Sequence, residues 1–282
     1  MPAADQVLVR VQGAGVGPWD ALIREQKSAV DTPLPLILGS DLSGVVEQAG
    51  SRDSQWKPGD EIYGATNAQF IGAYAEFALA SVNRIARKPA ALSFIEAASV
   101  PVVAVTAWQM LFDYASAKAG QSVLIHGAGG NVGAYAVQLA REAGLRVFAT
   151  ASADDAGYVR ELGAEQAMDY KQTRFEEIVP PVDIVLDMIG GDTRERSYRT
   201  IKPGGILVTV VSEPIRQTAD NIRSVFFLVD VTTERLDRIS ERFNRHQLAP
   251  HIGSVVPLEE ARAAHEMLAG APHRRGKIVL SM

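Results

Sequence analysis

The apolar positions of the chain fall into three textures. From residue 1 to about 90 they form short runs cut by turn residues: Val7-Leu8-Val9-Arg10-Val11, Gly44-Val45-Val46, Glu61-Ile62-Tyr63 and the stretch 73–80. Short β-rich runs punctuated by Gly and Pro predict a small all-β region. Gly13, Gly15, Gly17 and Pro18 are expected to end the first strand, and Lys57-Pro58-Gly59-Asp60 to make a turn. From about 92 to 245 strand and helix patterns alternate. Strands are expected at 122–126, 147–150, 183–187 and 205–211, and helices at 93–98, 103–114, 131–143 and 153–162. Ser93 and Glu96 have the spacing of a capping box. Such alternation predicts a parallel sheet with crossover helices. The last stretch predicts a helix from Pro257 to about Leu268 and a closing strand at Ile278-Val279-Leu280.

Composition narrows the chemistry. The 282 residues include no cysteine, which excludes disulfides, thiolate metal sites and a cysteine nucleophile. Lys plus Arg is 28 against 33 Asp plus Glu, a net charge of −5. Nucleic acid is therefore not an expected partner, because phosphate calls for a concentrated basic face. No run of about 18 apolar residues occurs, so no membrane span or membrane partner is expected. The opening MPAADQ lacks the basic and then apolar order of a signal peptide. A cytoplasmic protein is the expectation.

The segment richest in chemistry is Val123-Leu124-Ile125-His126-Gly127-Ala128-Gly129-Gly130-Asn131-Val132-Gly133. It reads as a buried strand, a glycine turn and the start of a helix. Glycines let the backbone approach a pyrophosphate, and the helix start aims amide hydrogens at it. The spacing is a variant of the usual fingerprint, and an ordinary glycine turn is the competing reading. On the dinucleotide reading, Gly129, Gly130, Asn131 and Val132 are cofactor contacts. The end of the next strand bears on which dinucleotide. NAD enzymes usually carry an acid there for the ribose hydroxyl, whereas this chain has Thr150-Ala151-Ser152. A hydroxyl pair tolerates a 2′-phosphate, and Tyr170, Lys171 and Arg174 are candidates to reach it. Asp154 and Asp155 argue the other way. NADPH is expected, with NADH the less favoured form; Tyr170 reads alternatively as a half-buried packing residue.

These residues resemble the medium-chain dehydrogenase/reductase superfamily, and within it the zinc-independent quinone oxidoreductases related to zeta-crystallin. The resemblance is carried, in order, by Gly15-Val16-Gly17-Pro18-Trp19-Asp20, Leu38-Gly39-Ser40-Asp41-Leu42-Ser43-Gly44, Lys57-Pro58-Gly59-Asp60 and Gly72-Ala73-Tyr74-Ala75-Glu76-Phe77. Thr106-Ala107-Trp108, the glycine loop, Asp187-Met188-Ile189-Gly190-Gly191, Lys202-Pro203-Gly204-Gly205 and Arg275-Gly276-Lys277-Ile278-Val279-Leu280 complete it. It implies an α/β chain: a Rossmann-type doubly wound parallel sheet over 93–249, and a GroES-like, partly open β-barrel catalytic domain from 1–92 plus 250–282. Relatives begin roughly two dozen residues earlier, so the barrel is expected to be shortened at its N-terminus by about a strand pair, exposing unpaired backbone. A homodimer or homotetramer is expected.

Zinc-containing relatives place cysteine where Gly17 stands and histidine where Ser40 stands, so no zinc or other metal is expected. Without a Lewis acid, a conjugated acceptor is the easier substrate, since a quinone or enone spreads the incoming charge onto oxygen. The expected activity is NADPH-dependent reduction of quinones or other conjugated carbonyls. Reduction of an alkenal or enoyl double bond, and NADPH binding without turnover, remain open beside it. No catalytic residue is assigned. The substrate-pocket candidates are Gly17, Trp19, Tyr63 and Phe70, where Gly17 replaces an asparagine common in quinone reductases. Tyr74 is a further phenol donor, but Tyr63 and Tyr74 read better as barrel packing, Phe70 equally as pocket or packing, and Trp19 better as pocket wall than as reagent; Asp20 reads better as a helix cap than as a proton carrier. The resemblance puts Thr106, Val211, Ser212, Phe226 and Phe227 near the nicotinamide and Ile189 among the cofactor contacts, with Thr106 reading alternatively as a helix-interior hydroxyl; Arg275 and Lys277 are candidates to approach a phosphate and equally a solvated surface. The two phenylalanines read equally as residues of a dimer-interface strand.

Overall fold

The computed structural model describes residues 1–52, 54–213 and 221–282. In chain order the strands are β1 (Gln6–Val16), β2 (Asp41–Ala49), β3 (Glu61–Ala65), β4 (Phe77–Ser81), β5 (Ile85–Arg87), β6 (Ser122–His126), β7 (Arg146–Ala151), β8 (Gln166–Asp169), β9 (Val182–Asp187), β10 (Ile201–Thr209), β11 (Arg223–Phe226), β12 (Ile252–Pro257) and β13 (Lys277–Ser281). The helices are α1 (Pro18–Arg24), α2 (Phe94–Ala98), α3 (Pro101–Trp108), α4 (Asn131–Glu142), α5 (Ala153–Leu162), α6 (Phe175–Ile178), α7 (Gly191–Ser197), α8 (Thr233–Asn244) and α9 (Ala261–Leu268). They pack into two compact units, Met1–Val105 with Asp230–Met282, and Thr106–Val229.

The first unit is built on a mostly antiparallel sheet in the order β12-β13-β1-β2-β3-β5, with β4 also paired to β1. Every second residue of β1 points into its core: Val7, Val9 and Val11 meet Leu42, Ile62 and Ile278, the period-two pattern that the sequence carries. β1 is longer than expected. It continues through Gly13 and Gly15, which pair with Ser281 and Val279 of β13. These glycines are not turn residues; they make room for a helix. A Cβ on Gly13 would lie 3.1 Å from Ala98 Cβ of α2. Along its other stretch Gln6–Arg10 pairs with β4.

The expected domain boundaries at 92 and 250 also move. Residues 93–105 and 230–249 group with the first unit. α2 covers the glycines of β1, and α8 is tied to the sheet. Tyr63 of β3 sends its hydroxyl to Leu236 O at 2.8 Å and to Ser240 Oγ at 2.9 Å. Thr233 Oγ1 donates to Ile85 O at 2.7 Å. The expected capping box closes α2, with Ser93 N–H bonded to Glu96 Oε2 at 2.8 Å and Glu96 N–H to Ser93 Oγ at 3.2 Å.

The second unit holds a parallel sheet in the order β11-β10-β9-β6-β7-β8. Leu124, Phe148, Val185 and Leu207 form part of its core. β6 leads to β7 on one side, while β9 returns on the other. The topology therefore switches between β6 and β9, and the crevice at the carboxyl ends of such strands is where α/β sheets hold ligands.

Candidate functional site

At that crevice β6 ends in the glycine turn. Gly127 sits at φ +75°, and Gly130 N-caps α4 with no side chain bonded to the helix end. The first-turn amides of α4 have no intrahelical acceptors, so Asn131, Val132 and Gly133 offer their N–H groups to an anion. Gly133 is required by packing, because a Cβ there would strike the Gly127 carbonyl oxygen. The turn at the end of β9 is brought alongside: a Cβ on Gly127 would lie 3.2 Å from Ile189 Cδ1, and one on Gly190 would lie 2.9 Å from Val211 Cγ1. Gly127, Ile189, Gly190 and Val211 thus form one patch, and Ile189 and Val211 keep 54% and 45% of their surface exposed.

Two buried side chains hold this patch in shape. Asp187 closes β9; its Oδ1 accepts the N–H groups of Ile189 and Gly190 at 3.0 and 2.8 Å, and its Oδ2 accepts Thr209 Oγ1 at 2.9 Å. Arg194 of α7 bonds Ser212 O at 2.9 Å and Ser212 Oγ at 3.2 Å. Phe226 lies opposite Thr209 at the end of β11, whereas Phe227 is buried and stacks on Tyr114 at 4.4 Å. Thr106 is buried in α3. Thr150, expected to face the cofactor, is also buried and bonds His126 Nδ1 at 2.9 Å. His126 Nε2 bonds Ser197 Oγ at 2.9 Å, while Ser197 donates to Thr193 O. This pattern assigns the proton to Nε2. Burial pushes His126 down to about 4, so the ring stays neutral. Ser152 caps α5, and Tyr170 is 57% exposed.

In the first unit, the turn after β1 builds a compact polar cluster. Gly17 N-caps α1, and its N–H donates to Asp20 Oδ2 at 2.8 Å, the helix-cap role expected of that acid. Tyr74 donates to the same oxygen at 3.2 Å. Asp20 is fully buried, its Oδ1 has no partner among the described residues, and burial pushes its carboxyl up to about 7. Trp19 folds its indole across Gly17 and donates Nε1–H to Ser40 Oγ at 3.0 Å. Under that ring lies Lys277, its Nζ 4.2 Å from the ring centre and 3.1 Å from Asp41 Oδ2. Asp41 Oδ1 accepts the Val102 N–H at 3.1 Å. Lys277 is 2% exposed and engaged by Asp41. Phe70 is half-buried at φ +60° in a loop fixed by Asn67, whose Nδ2 donates to Ile71 O at 2.8 Å. Tyr63 leaves the set of pocket candidates: it is fully buried and its hydroxyl anchors α8.

Two family descriptions match this chain: "Alcohol dehydrogenase GroES-like domain" over residues 3–90 and "Zinc-binding dehydrogenase" over residues 162–280. A quinone oxidoreductase of Mus musculus is 31% identical over 99% of this chain and 90% of its own length. The chain belongs to the medium-chain dehydrogenase/reductase superfamily, in its quinone oxidoreductase branch. It is an oxidoreductase of a family that binds a nicotinamide cofactor. Two solved structures carry the same fold over the whole chain. The quinone oxidoreductase from Coxiella burnetii has TM-score 0.89 and 32% identity, covering 100% of this chain and 92% of that one. An alcohol dehydrogenase superfamily protein from Novosphingobium aromaticivorans has TM-score 0.92 and 32% identity, covering 100% and 93%.

One description names zinc, and the residues do not fit it. Gly17 has no donor atom, Ser40 Oγ already accepts the Trp19 indole, and a longer side chain at position 17 would collide with the Trp19 ring. Among the described residues no group of three His, Asp or Glu converges on a point that could hold a metal ion. The dinucleotide does fit: the open start of α4, the close-packed glycines and the Ile189–Val211 patch are what such a cofactor requires. Sequence reasoning missed Asp187, Arg194 and His126 as supports of this site. Asp187-Met-Ile-Gly-Gly was visible as a motif, but nothing local signals that an aspartate reaches forward to two backbone amides. No helix among the described residues is long and apolar enough to cross a membrane.

Proposed function

We propose that this chain reduces quinones or α,β-unsaturated carbonyls with a reduced nicotinamide dinucleotide and without a metal. The observation that carries the reading is Trp19: an aromatic ring lies over Gly17 and bonds Ser40 at the positions where zinc-containing relatives hold their metal. The bound cofactor supplies the hydride. The amides at the start of α4 bind the pyrophosphate, and Asp187 and Arg194 keep the Ile189 and Ser212 turns in place for the nicotinamide end. Thr106 and Phe226 are assigned to the same end by the family resemblance. On the substrate side Trp19 and Phe70 offer flat apolar surface suited to a planar conjugated acceptor. Asp20 is a positioning group: it caps α1 and so orients Trp19. Such an acceptor needs no Lewis acid, because its oxygen takes the charge and a solvent proton completes the reaction. Homo-oligomeric assembly and a cytoplasmic location belong to this proposal as well.

The sequence favoured NADPH through the Thr150 and Ser152 hydroxyls. That support weakens once Thr150 is bonded to His126 and Ser152 to Asp155. The test of the reaction is product identity. Incubation with a reduced dinucleotide and a naphthoquinone is expected to yield the hydroquinone, and incubation with an enone a saturated ketone. Tight dinucleotide binding with neither product would leave a binding protein without turnover and overturn the proposal.

A further inference from the structure

We infer that Asp155 selects the dinucleotide that lacks a 2′-phosphate, so that this chain binds NADH in preference to NADPH. The inference rests on the dinucleotide reading above and specifies the form taken. Asp155 lies in the first turn of α5, yet its carboxylate folds back onto the glycine turn. A Cβ built on Gly129 would meet Asp155 Oδ2 at 2.8 Å and Asp155 Cγ at 2.9 Å. Ser152, the N-cap of α5, donates Oγ–H to Asp155 Oδ2 at 2.7 Å and accepts the Asp155 N–H at 3.2 Å. The carboxylate is held in one orientation, against the turn whose amides receive the pyrophosphate.

In Rossmann-type sites the end of the second strand faces the adenosine ribose. A carboxylate there accepts its hydroxyls, whereas a 2′-phosphate needs a cation. β7 is the second strand here, and Asp155 is the acid that reaches back from it. Tyr170 N–H bonds Ala151 O at 3.1 Å, which sets Asp169, Tyr170 and Lys171 beside the end of β7. Arg174, expected to reach a phosphate, is tied to Glu176 at 3.1 Å and Glu177 at 3.2 Å. Lys171 Nζ lies 5.8 Å from the Tyr170 ring centre. A phosphate dianion entering beside this turn meets the carboxylate that Ser152 holds in place.

The test is equilibrium titration of the unmodified chain and of Asp155→Asn with NADH and with NADPH, by nucleotide fluorescence or calorimetry, at low and high salt. The unmodified chain is expected to bind NADH at least about tenfold more tightly than NADPH. Salt screens the repulsion, so the ratio is expected to narrow at high ionic strength. Asp155→Asn is expected to bring the two affinities within about threefold, mainly by tightening NADPH. Equal affinities, or a preference for NADPH, in the unmodified chain would overturn the inference and leave the dinucleotide reading standing. Binding of neither nucleotide would overturn both. Should Asp155→Asn fail to fold, the salt dependence of the unmodified chain's ratio carries the test.

Discussion

At the scale of single residues, the sequence told side-chain type but not side-chain engagement. Thr150, Tyr63 and Lys277 were each candidates for contact with a ligand, and each turns out to be bonded inside its own unit: to His126, to α8 and to Asp41. Their partners lie 24, 173 and 236 positions away, so no local pattern could have named them. His126 carries a measurable consequence. Its folded pKa of about 4 lies below the ordinary 6.5 because burial disfavours the charged ring. Between these values the unfolded chain binds the proton and the folded chain does not. Stability is therefore lost as pH falls from 6.5 toward 4, by about 3 kcal/mol from this group. His126→Gln is expected to remove that part of the pH dependence while leaving the slope above pH 7 unchanged. Urea unfolding of both proteins across the range checks it; parallel curves would contradict a buried neutral imidazole.

Elements were more legible than residues. The strands at β2, β3, β6, β7, β9 and β13 and the helices α2, α4, α5 and α9 stand where the apolar pattern puts them: α4 and α5 bury a regular face, whereas β6, β7 and β9 are short apolar runs buried on both faces. β8 and β11, four residues each, are too short to show a period. α8 was missed because it is dense in Arg and Glu and buries only Leu236, Ile239, Ser240 and Phe243. β1 was cut short because Gly13 and Gly15 look like breakers, although they serve close approach to α2. Two elements invite tests. The pair Asp41–Lys277 joins β2 to β13 in the interior. Removing one partner of a buried pair costs about 3–5 kcal/mol, while removing both charges costs less. Lys277→Met is expected to lower unfolding free energy by that amount, and Asp41→Asn with Lys277→Met to recover much of it. A single-variant loss below about 1 kcal/mol would mean the pair behaves as a surface bridge. At the glycine turn, Gly133→Ala forces a methyl against the Gly127 carbonyl. Overpacking of this kind costs about 1–3 kcal/mol, so dinucleotide affinity is expected to fall about tenfold or more, read by titration.

At the scale of the molecule, the ordered run of motifs along the chain made the family legible before any contact was known. The parallel sheet, its switch point and the β-rich first unit followed from that order. The domain boundaries did not, because 93–105 and 230–249 join the first unit through α2 and α8, contacts invisible in a texture of alternating elements. The absent cysteines excluded thiolate zinc at once. Only the fold of Trp19 over Gly17 and onto Ser40 explained what stands there instead.

The central claim is metal-free reduction of a conjugated acceptor. The most direct measurement is the rate of NADH and NADPH oxidation with a panel of quinones and enones, before and after exhaustive chelation and after re-addition of zinc. The account predicts turnover with at least one conjugated acceptor, unchanged by chelation and not raised by zinc. Activity lost on chelation and restored by zinc would contradict it, as would oxidation of simple alcohols at rates exceeding quinone reduction.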